Sequence, residues 1–220
     1  RSTEIQFARL FGNTPLQVEM ILMTTASYTP RNTEAGYLRR FYRQLDDVRD
    51  DYFDALIVTG APIETLPFDE VAYWQELIEI MDWSRSHCFR RLGICWGAQA
   101  LLWHFFKVPK HQLEAKLFGV YDHLLAPVSG RLMHGFTDRF PMPISRYTMN
   151  RTDDIKAAGL DVLADGVDCG AGMVRDPKSG DLFVFNHLEY DATTLADEYH
   201  RDVAAGLATV MPENYFPDDD

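Results

Sequence analysis

Leu92-Gly93-Ile94-Cys95-Trp96-Gly97-Ala98-Gln99-Ala100 is the stretch on which the reading of this chain turns. A short apolar run ends at Cys95 and a helical pattern starts almost at once, so the segment reads as strand, tight turn and helix. Such a turn holds its central residue in a strained backbone conformation, and the small residues around it let the following helix pack closely. A helix N-terminus favours a thiolate, and the backbone N–H of Trp96 is placed to stabilise an oxyanion. Cys95 is therefore a candidate nucleophile. Burial as an inert core residue is the commoner fate of a cysteine; the glycine placement and the strand-to-helix position tell against it here.

A nucleophile needs a base, and the base needs an orienting group. Phe183-Val184-Phe185-Asn186-His187-Leu188-Glu189-Tyr190 offers both. His187 leaves the end of an apolar strand, and Glu189 follows two residues later. Residues two apart in extended chain point the same way, so this carboxylate can reach the ring and fix its tautomer. An isolated His-x-Glu is more often a core histidine beside a surface glutamate; the pairing with Cys95 gives this one its weight.

Working outward, strand and helix patterns alternate, which predicts an α/β fold with a largely parallel sheet flanked by helices. Helices are expected over Thr3–Phe11, Thr33–Val48 (capped by Asn32 or Thr33), Phe68–Ser86, Ala98–Phe106 and Thr193–Gly206. Strands are expected over Leu16–Met23, Asp54–Thr59, Phe89–Ile94 and Leu182–Phe185. Beyond Lys107 the density of Pro and Gly predicts short strands and loops decorating the sheet. Asp218-Asp219-Asp220 reads as a frayed end.

Of 220 residues, 46% are apolar and 25% charged, with a net charge of −12, ordinary for a globular domain. That charge opposes sequence-independent nucleic-acid binding. No run approaches the roughly 20 apolar residues that cross a bilayer, so no membrane partner is expected. Three cysteines without metal-like spacing suit a reducing cytoplasm better than a disulfide framework. Cys88 and Cys169 read as structural. His87, His104, His111, His123, His134 and His200 show no zinc spacing, so no metal is expected.

The elbow and the His-x-Glu segment resemble those of class I glutamine-amidotransferase-like proteins, whose fold is a flavodoxin-like three-layer sandwich. A resemblance covering nearly the whole chain is to the homoserine O-succinyltransferase/O-acetyltransferase family of methionine biosynthesis. It is carried by Thr3-Glu4-Ile5-Gln6, Gly12-Asn13-Thr14-Pro15-Leu16-Gln17-Val18, Thr59-Gly60-Ala61-Pro62, Tyr73-Trp74, Ile94–Ala100, Lys116-Leu117-Phe118-Gly119-Val120 and the segment from His187 to Arg201. The resemblance implies one acyltransferase domain over residues 1–220. It also implies native segments beyond both ends, among them a first strand. The implied reaction is ping-pong: Cys95 takes an acyl group from acetyl-CoA or succinyl-CoA, and His187, oriented by Glu189, helps pass it to a homoserine hydroxyl. The backbone at Trp96 and Ala61 would hold the oxyanion, and Lys116 would lie near the acyl group. Ser145, Arg146, Glu198 and Arg201 would bind the acceptor's ammonium and carboxylate. Both signs are needed for a zwitterion, and Arg grips a carboxylate with two parallel bonds.

Glu64 occupies a position that in this family tends to be Gly where succinyl is used and Glu where acetyl is used. A carboxylate there takes up space and repels a second carboxylate, so acetyl-CoA is the expected donor. No bound cofactor is implied, and a homodimer is the family-level expectation. Pro143-Ile144-Ser145-Arg146 and His187-Leu188-Glu189 depart from the family's Pro-His-Ser-Arg and His-Pro-Glu. Ile144 motivates serine or a related hydroxy-amino acid as a rival acceptor. Two further rivals keep the fold and change the activity: a glutaminase subunit and a non-catalytic relative.

Overall fold

The computed structural model describes residues 2–27 and 35–217, and the chain divides into two compact units. The caps expected at Asn32 or Thr33 and the fraying expected at Asp218-Asp219-Asp220 lie outside the described residues.

The first unit comprises Arg1–Leu56 and Leu66–Phe89. Its first helix, α1 (Ser2–Gly12), falls where the pattern placed it. Glu4 in the first turn accepts the hydroxyls of Tyr37 (2.7 Å) and Tyr42 (2.6 Å). The strand expected over Leu16–Met23 is reduced to β1 (Leu22–Met23), paired in parallel with β2 (Tyr42–Arg43). Leu16 and Val18 stay exposed, so their apolar alternation finds no layer to cover it. The single helix expected up to Val48 is interrupted. α2 (Ala35–Phe41) gives way to β2, and α3 (Leu45–Val48) starts anew. The Asp47 carboxylate takes the Gln44 N–H at 2.8 Å, a local cap that competes with helix continuation. The helix expected from Phe68 begins as a 3₁₀ turn and becomes α4 only at Trp74, running to His87. Leu45, Val48, Ile80, Trp83 and Cys88 form a buried cluster, so Cys88 packs as a small apolar residue.

The second unit comprises Ile57–Thr65 and Arg90–Asp220. Its strands are the end of β3 (Phe53–Val58), most of β4 (Cys88–Ile94), and β9 (Leu182–Val184), β8 (Gly170–Arg175), β7 (Asp161–Gly166), β5 (His111–Leu125) and β6 (Arg139–Met149), in that spatial order. β4 and β9 pair in parallel. The pairs β9–β8, β8–β7, β7–β5 and β5–β6 are all antiparallel. The sheet is therefore mixed, which corrects the expectation of a largely parallel one. Parallel neighbours need a crossover of a dozen or more residues, whereas β7 and β8 are joined by only Val167-Asp168-Cys169.

The segment beyond Lys107 also differs from its expected short strands, because β5 and β6 form a hairpin of 15 and 11 residues. Pro141 and Pro143 lie within β6, opposite Asp122 and Val120. They are tolerated because β6 is the sheet edge, where a missing N–H leaves no second ladder unpaired. α5 (Trp96–Phe106) packs on β9, with Phe106 edge-on to Phe183, while α6 (Thr152–Ala157) packs on β7 and α7 (Thr194–Ala204) follows the His187 segment. Among the described residues, no helix is long and apolar enough to cross a membrane.

Candidate active site

Cys95 sits between β4 and α5 with φ 52° and ψ −119°, a conformation that L side chains rarely adopt. Three hydrogen bonds hold it there. Its N–H donates to the Val184 carbonyl at 2.8 Å, and its own carbonyl accepts the N–H groups of Ala98 (3.0 Å) and Gln99 (3.3 Å). The glycines on either side are required by close approach. A Cβ on Gly93 would lie 2.4 Å from the Ala98 Cα, and one on Gly97 would lie 2.0 Å from the Val58 carbonyl oxygen. The turn therefore packs α5 against the strand ends and places the Trp96 N–H in the helix's first turn.

The parallel register sets Leu92, Gly93 and Ile94 beside Leu182, Phe183 and Val184. Continuing past β9, the chain reaches His187 close to the thiol. The His187 N–H donates to the Pro143 carbonyl at 3.0 Å, and its Nδ1 lies 2.7 Å from Glu189 Oε1. The side chains of Cys95, His187 and Glu189 are all buried. Burial alone pushes the imidazole's pKa down. The hydrogen bond and charge of Cys95, joined by those of Glu189, outweigh it and raise His187 to about 10. Gly60 faces both partners: a Cβ there would stand 3.2 Å from the Cys95 Cβ and 3.7 Å from His187 Cε1. The Gly60-Ala61 backbone thus runs directly past the thiol.

The remaining expected residues fall into three groups. Lys116 Nζ and Ser145 Oγ both donate to one oxygen of Glu198, at 2.6 and 2.7 Å. The β5–β6 hairpin supplies the first two and α7 the third. Arg201 extends the group outward, 3.9 Å from Glu198 and 2.7 Å from Asp202, with its side chain 68% exposed. Glu64 forms a second group: half-buried, its carboxylate accepts the Tyr147 N–H at 2.8 Å while its carbonyl accepts Lys110 Nζ. Burial raises the Glu64 pKa against that hydrogen bond and the nearby cations.

Arg146 stands apart. Fully buried, it donates Nη1 to Asn186 Oδ1 (2.7 Å) and Nη2 to the Cys169 carbonyl (2.5 Å). Both ends of the fork expected to grip an acceptor are thus engaged within the protein, and Nε has no hydrogen-bond partner among the described residues. Ile144 is also fully buried, against Tyr121, Cys169 and Leu117.

Several side chains at the site carry no signal that the sequence pattern exposes. Tyr190 stacks on His187 with ring centres 4.1 Å apart and planes 13° apart. Its pKa is raised by burial and then by the charges of Glu198 and Cys95. Its place three residues after His187 is the one available hint. His123 and Lys110 reach the site's surroundings only through tertiary contacts, and Asn186, though next to His187 in the chain, shows its partners only there. Among the described residues no cluster suited to a metal ion occurs.

Comparison with known proteins adds the lineage. The family model for homoserine O-succinyltransferase matches residues 1–220. The chain belongs to the homoserine O-succinyltransferase family. Relatives named homoserine O-acetyltransferase include one from Allorhizobium ampelinum, 45% identical over 99% of this chain and 71% of that protein. Another, from Cereibacter sphaeroides, is 48% identical over 99% of this chain and 72% of that protein. Among solved structures, a glutamine amidotransferase from Thermotoga maritima superposes with a TM-score of 0.57 at 10% identity, covering 86% of each chain. That likeness is one of fold. The homoserine O-succinyltransferase match spans all of Glu64, Cys95, Lys116, Ser145, His187, Glu189, Glu198 and Arg201.

Proposed function

We propose that this protein is a homoserine O-acyltransferase that uses acetyl-CoA and works by a ping-pong mechanism through a Cys95 acyl-enzyme. The observation that carries the reading is the buried line from Cys95 to His187 to Glu189, in which Nδ1 of the ring faces the carboxylate at 2.7 Å and the same ring is hydrogen-bonded to the Cys95 thiol. That is the arrangement a nucleophile, a base and an orienting group require.

In the first half-reaction the Cys95 sulfur attacks the thioester carbonyl, and the oxyanion develops toward the Trp96 and Ala61 backbone. The C–S bond to coenzyme A then breaks, and His187 gives its proton to the departing thiolate. In the second half-reaction His187 takes the proton of the acceptor hydroxyl as its oxygen attacks the acyl-cysteine. The Cys95 thiolate leaves, and the ester departs. Glu189 keeps Nδ1 occupied, so the opposite nitrogen handles every proton.

The Lys116–Ser145–Glu198 cluster with Arg201 supplies both signs for a zwitterionic amino acid: the carboxylate of Glu198 for the ammonium and Arg201 for the carboxylate. Homoserine is the acceptor named for the relatives. Ile144 gives no support to a different acceptor, because it packs in the interior. Glu64 supports acetyl over succinyl: its half-buried carboxylate takes up volume that a longer acyl chain would need, and it would meet the succinyl carboxylate.

Mass spectrometry of the intact chain after brief exposure to each acyl-CoA tests the reading. A gain of one acetyl group, absent in Cys95→Ala and discharged by homoserine, is expected. Glu64→Gly is expected to raise succinyl relative to acetyl transfer by about tenfold or more. No adduct from either donor on folded protein overturns the acyl-enzyme.

A further inference from the structure

We propose that Asn186 is a positioning residue whose clamped side chain aims His187 at Cys95. The inference rests on the reading of His187 as the base for Cys95. Asn186 is fully buried, and both ends of its amide are engaged. Oδ1 accepts from Arg146 Nη1 at 2.7 Å, and Nδ2 lies 2.9 Å from His123 Nε2. The ring of His123 has one tautomer that fits. Its Nδ1 faces the Tyr121 carbonyl at 2.9 Å, and a carbonyl only accepts, so Nδ1 carries the hydrogen and Nε2 offers a lone pair. Burial, followed by the charge of Arg146, lowers the His123 pKa and keeps the ring in that neutral form.

The amide orientation is thereby determined. Turned over, it would set its NH₂ against the guanidinium and its oxygen against the Nε2 lone pair, losing two buried bonds at once. The backbone on either side is tied as well: the Phe185 N–H donates to the Gly172 carbonyl and the His187 N–H to the Pro143 carbonyl, both at 3.0 Å. Arg146 completes the frame through the Cys169 carbonyl. β5 and β6 reach the residue immediately before the base directly, and the β7–β8 turn does so through Arg146, although none of them supplies a member of the Cys95–His187–Glu189 line.

The experiment follows the rate of Cys95 alkylation by iodoacetamide against pH in the full chain, alongside steady-state kinetics with acetyl-CoA and homoserine. His187→Ala serves as the control for the base. Asn186→Ala is expected to slow alkylation by about tenfold or more and to change its pH profile in the same sense as His187→Ala does. The KM for homoserine should stay within about twofold. Asn186→Asp keeps the shape and the Arg146 acceptor but offers His123 no donor, and is expected to fall between Asn186→Ala and the unmodified chain. If Asn186→Ala does not fold, Asn186→Asp decides by the same readings. A folded variant with unchanged alkylation rate and pH profile, or with only the homoserine KM altered, overturns the proposal. Unchanged alkylation in His187→Ala would instead overturn the assignment of the base.

Discussion

Cys95 and Cys169 are both buried, and each thiol lies against a histidine ring, yet the two pairs are built for opposite ends. At Cys95 the ring belongs to His187, its far nitrogen rests on the Glu189 carboxylate, and its pKa is raised. At Cys169 the sulfur lies 3.2 Å from His123 Nε2, the far nitrogen rests on a backbone carbonyl, and the ring's pKa is lowered. Burial pushes the Cys169 thiol up to about 11, the positive charge of Arg146 notwithstanding. The surroundings make the difference. At His187 burial is overcome by the sulfur and the carboxylate, which support a charged imidazole. At His123 burial and the charge of Arg146 outweigh the carbonyl's pull and hold the ring neutral. The backbone differs too, since Cys95 stands in a strained elbow at a helix start and Cys169 in a short strand-to-strand turn.

The contrast breaks most visibly on removing each sulfur. Cys95→Ala is expected to lower turnover by at least about a thousandfold, while Cys169→Ala is expected to keep it within about threefold and to cost on the order of 1 kcal/mol of stability. Steady-state rates and urea melts read the two effects. Loss of turnover in Cys169→Ala without loss of fold would make the second pair more than scaffold. A smaller effect is expected from the orienting group: Glu189→Gln keeps the shape but removes the charge that supports the imidazolium, and should lower kcat by about a hundredfold or more. A kcat within a few-fold of the unmodified chain would show that Glu189 is dispensable to His187.

How much of this is legible in the sequence follows the same division. The elbow can be read because close approach permits only small residues at Gly93 and Gly97, and because His187 and Glu189 are two apart in one segment. The parallel pairing of β4 with β9 does the rest. Helices are read best where turn residues bound them closely, as Gly12 ends α1 and the elbow starts α5. The pattern misleads at Gln44, where a local cap restarts the chain. The long β5–β6 hairpin is hidden because an edge strand tolerates proline, so Pro141 and Pro143 read as loop residues. The setting of Arg146 is hidden for another reason. Nothing local says that Asn186, forty residues on, and the carbonyl of Cys169 occupy both ends of its fork. The family pattern locates the residue, and tertiary packing determines what it touches.

The gentlest way to sharpen the comparison is through the pH dependence of stability, because the two rings contribute with opposite sign. His187 is raised in the folded chain, so its contribution is fully present below the unfolded value near 6.5 and is lost as pH rises toward about 10. His123 is lowered, so its contribution is present above that unfolded value and is lost as pH falls through the folded one. Cys169, raised to about 11, adds to the alkaline loss, since the unfolded thiol ionises first. Urea melts between about pH 5.5 and pH 9.5 in a Cys169→Ala background remove that thiol's part, and Lys110, lowered by burial to about 8, is common to every variant. Adding Glu189→Gln should flatten the alkaline limb, because the carboxylate that helps hold His187 charged is gone. Adding His123→Asn should flatten the acid limb and leave the alkaline one in place. Each comparison reads a slope between two variants, so a constant loss of stability from either substitution cancels. If both substitutions flattened the same limb, the assignment of one charged and one neutral imidazole would be wrong.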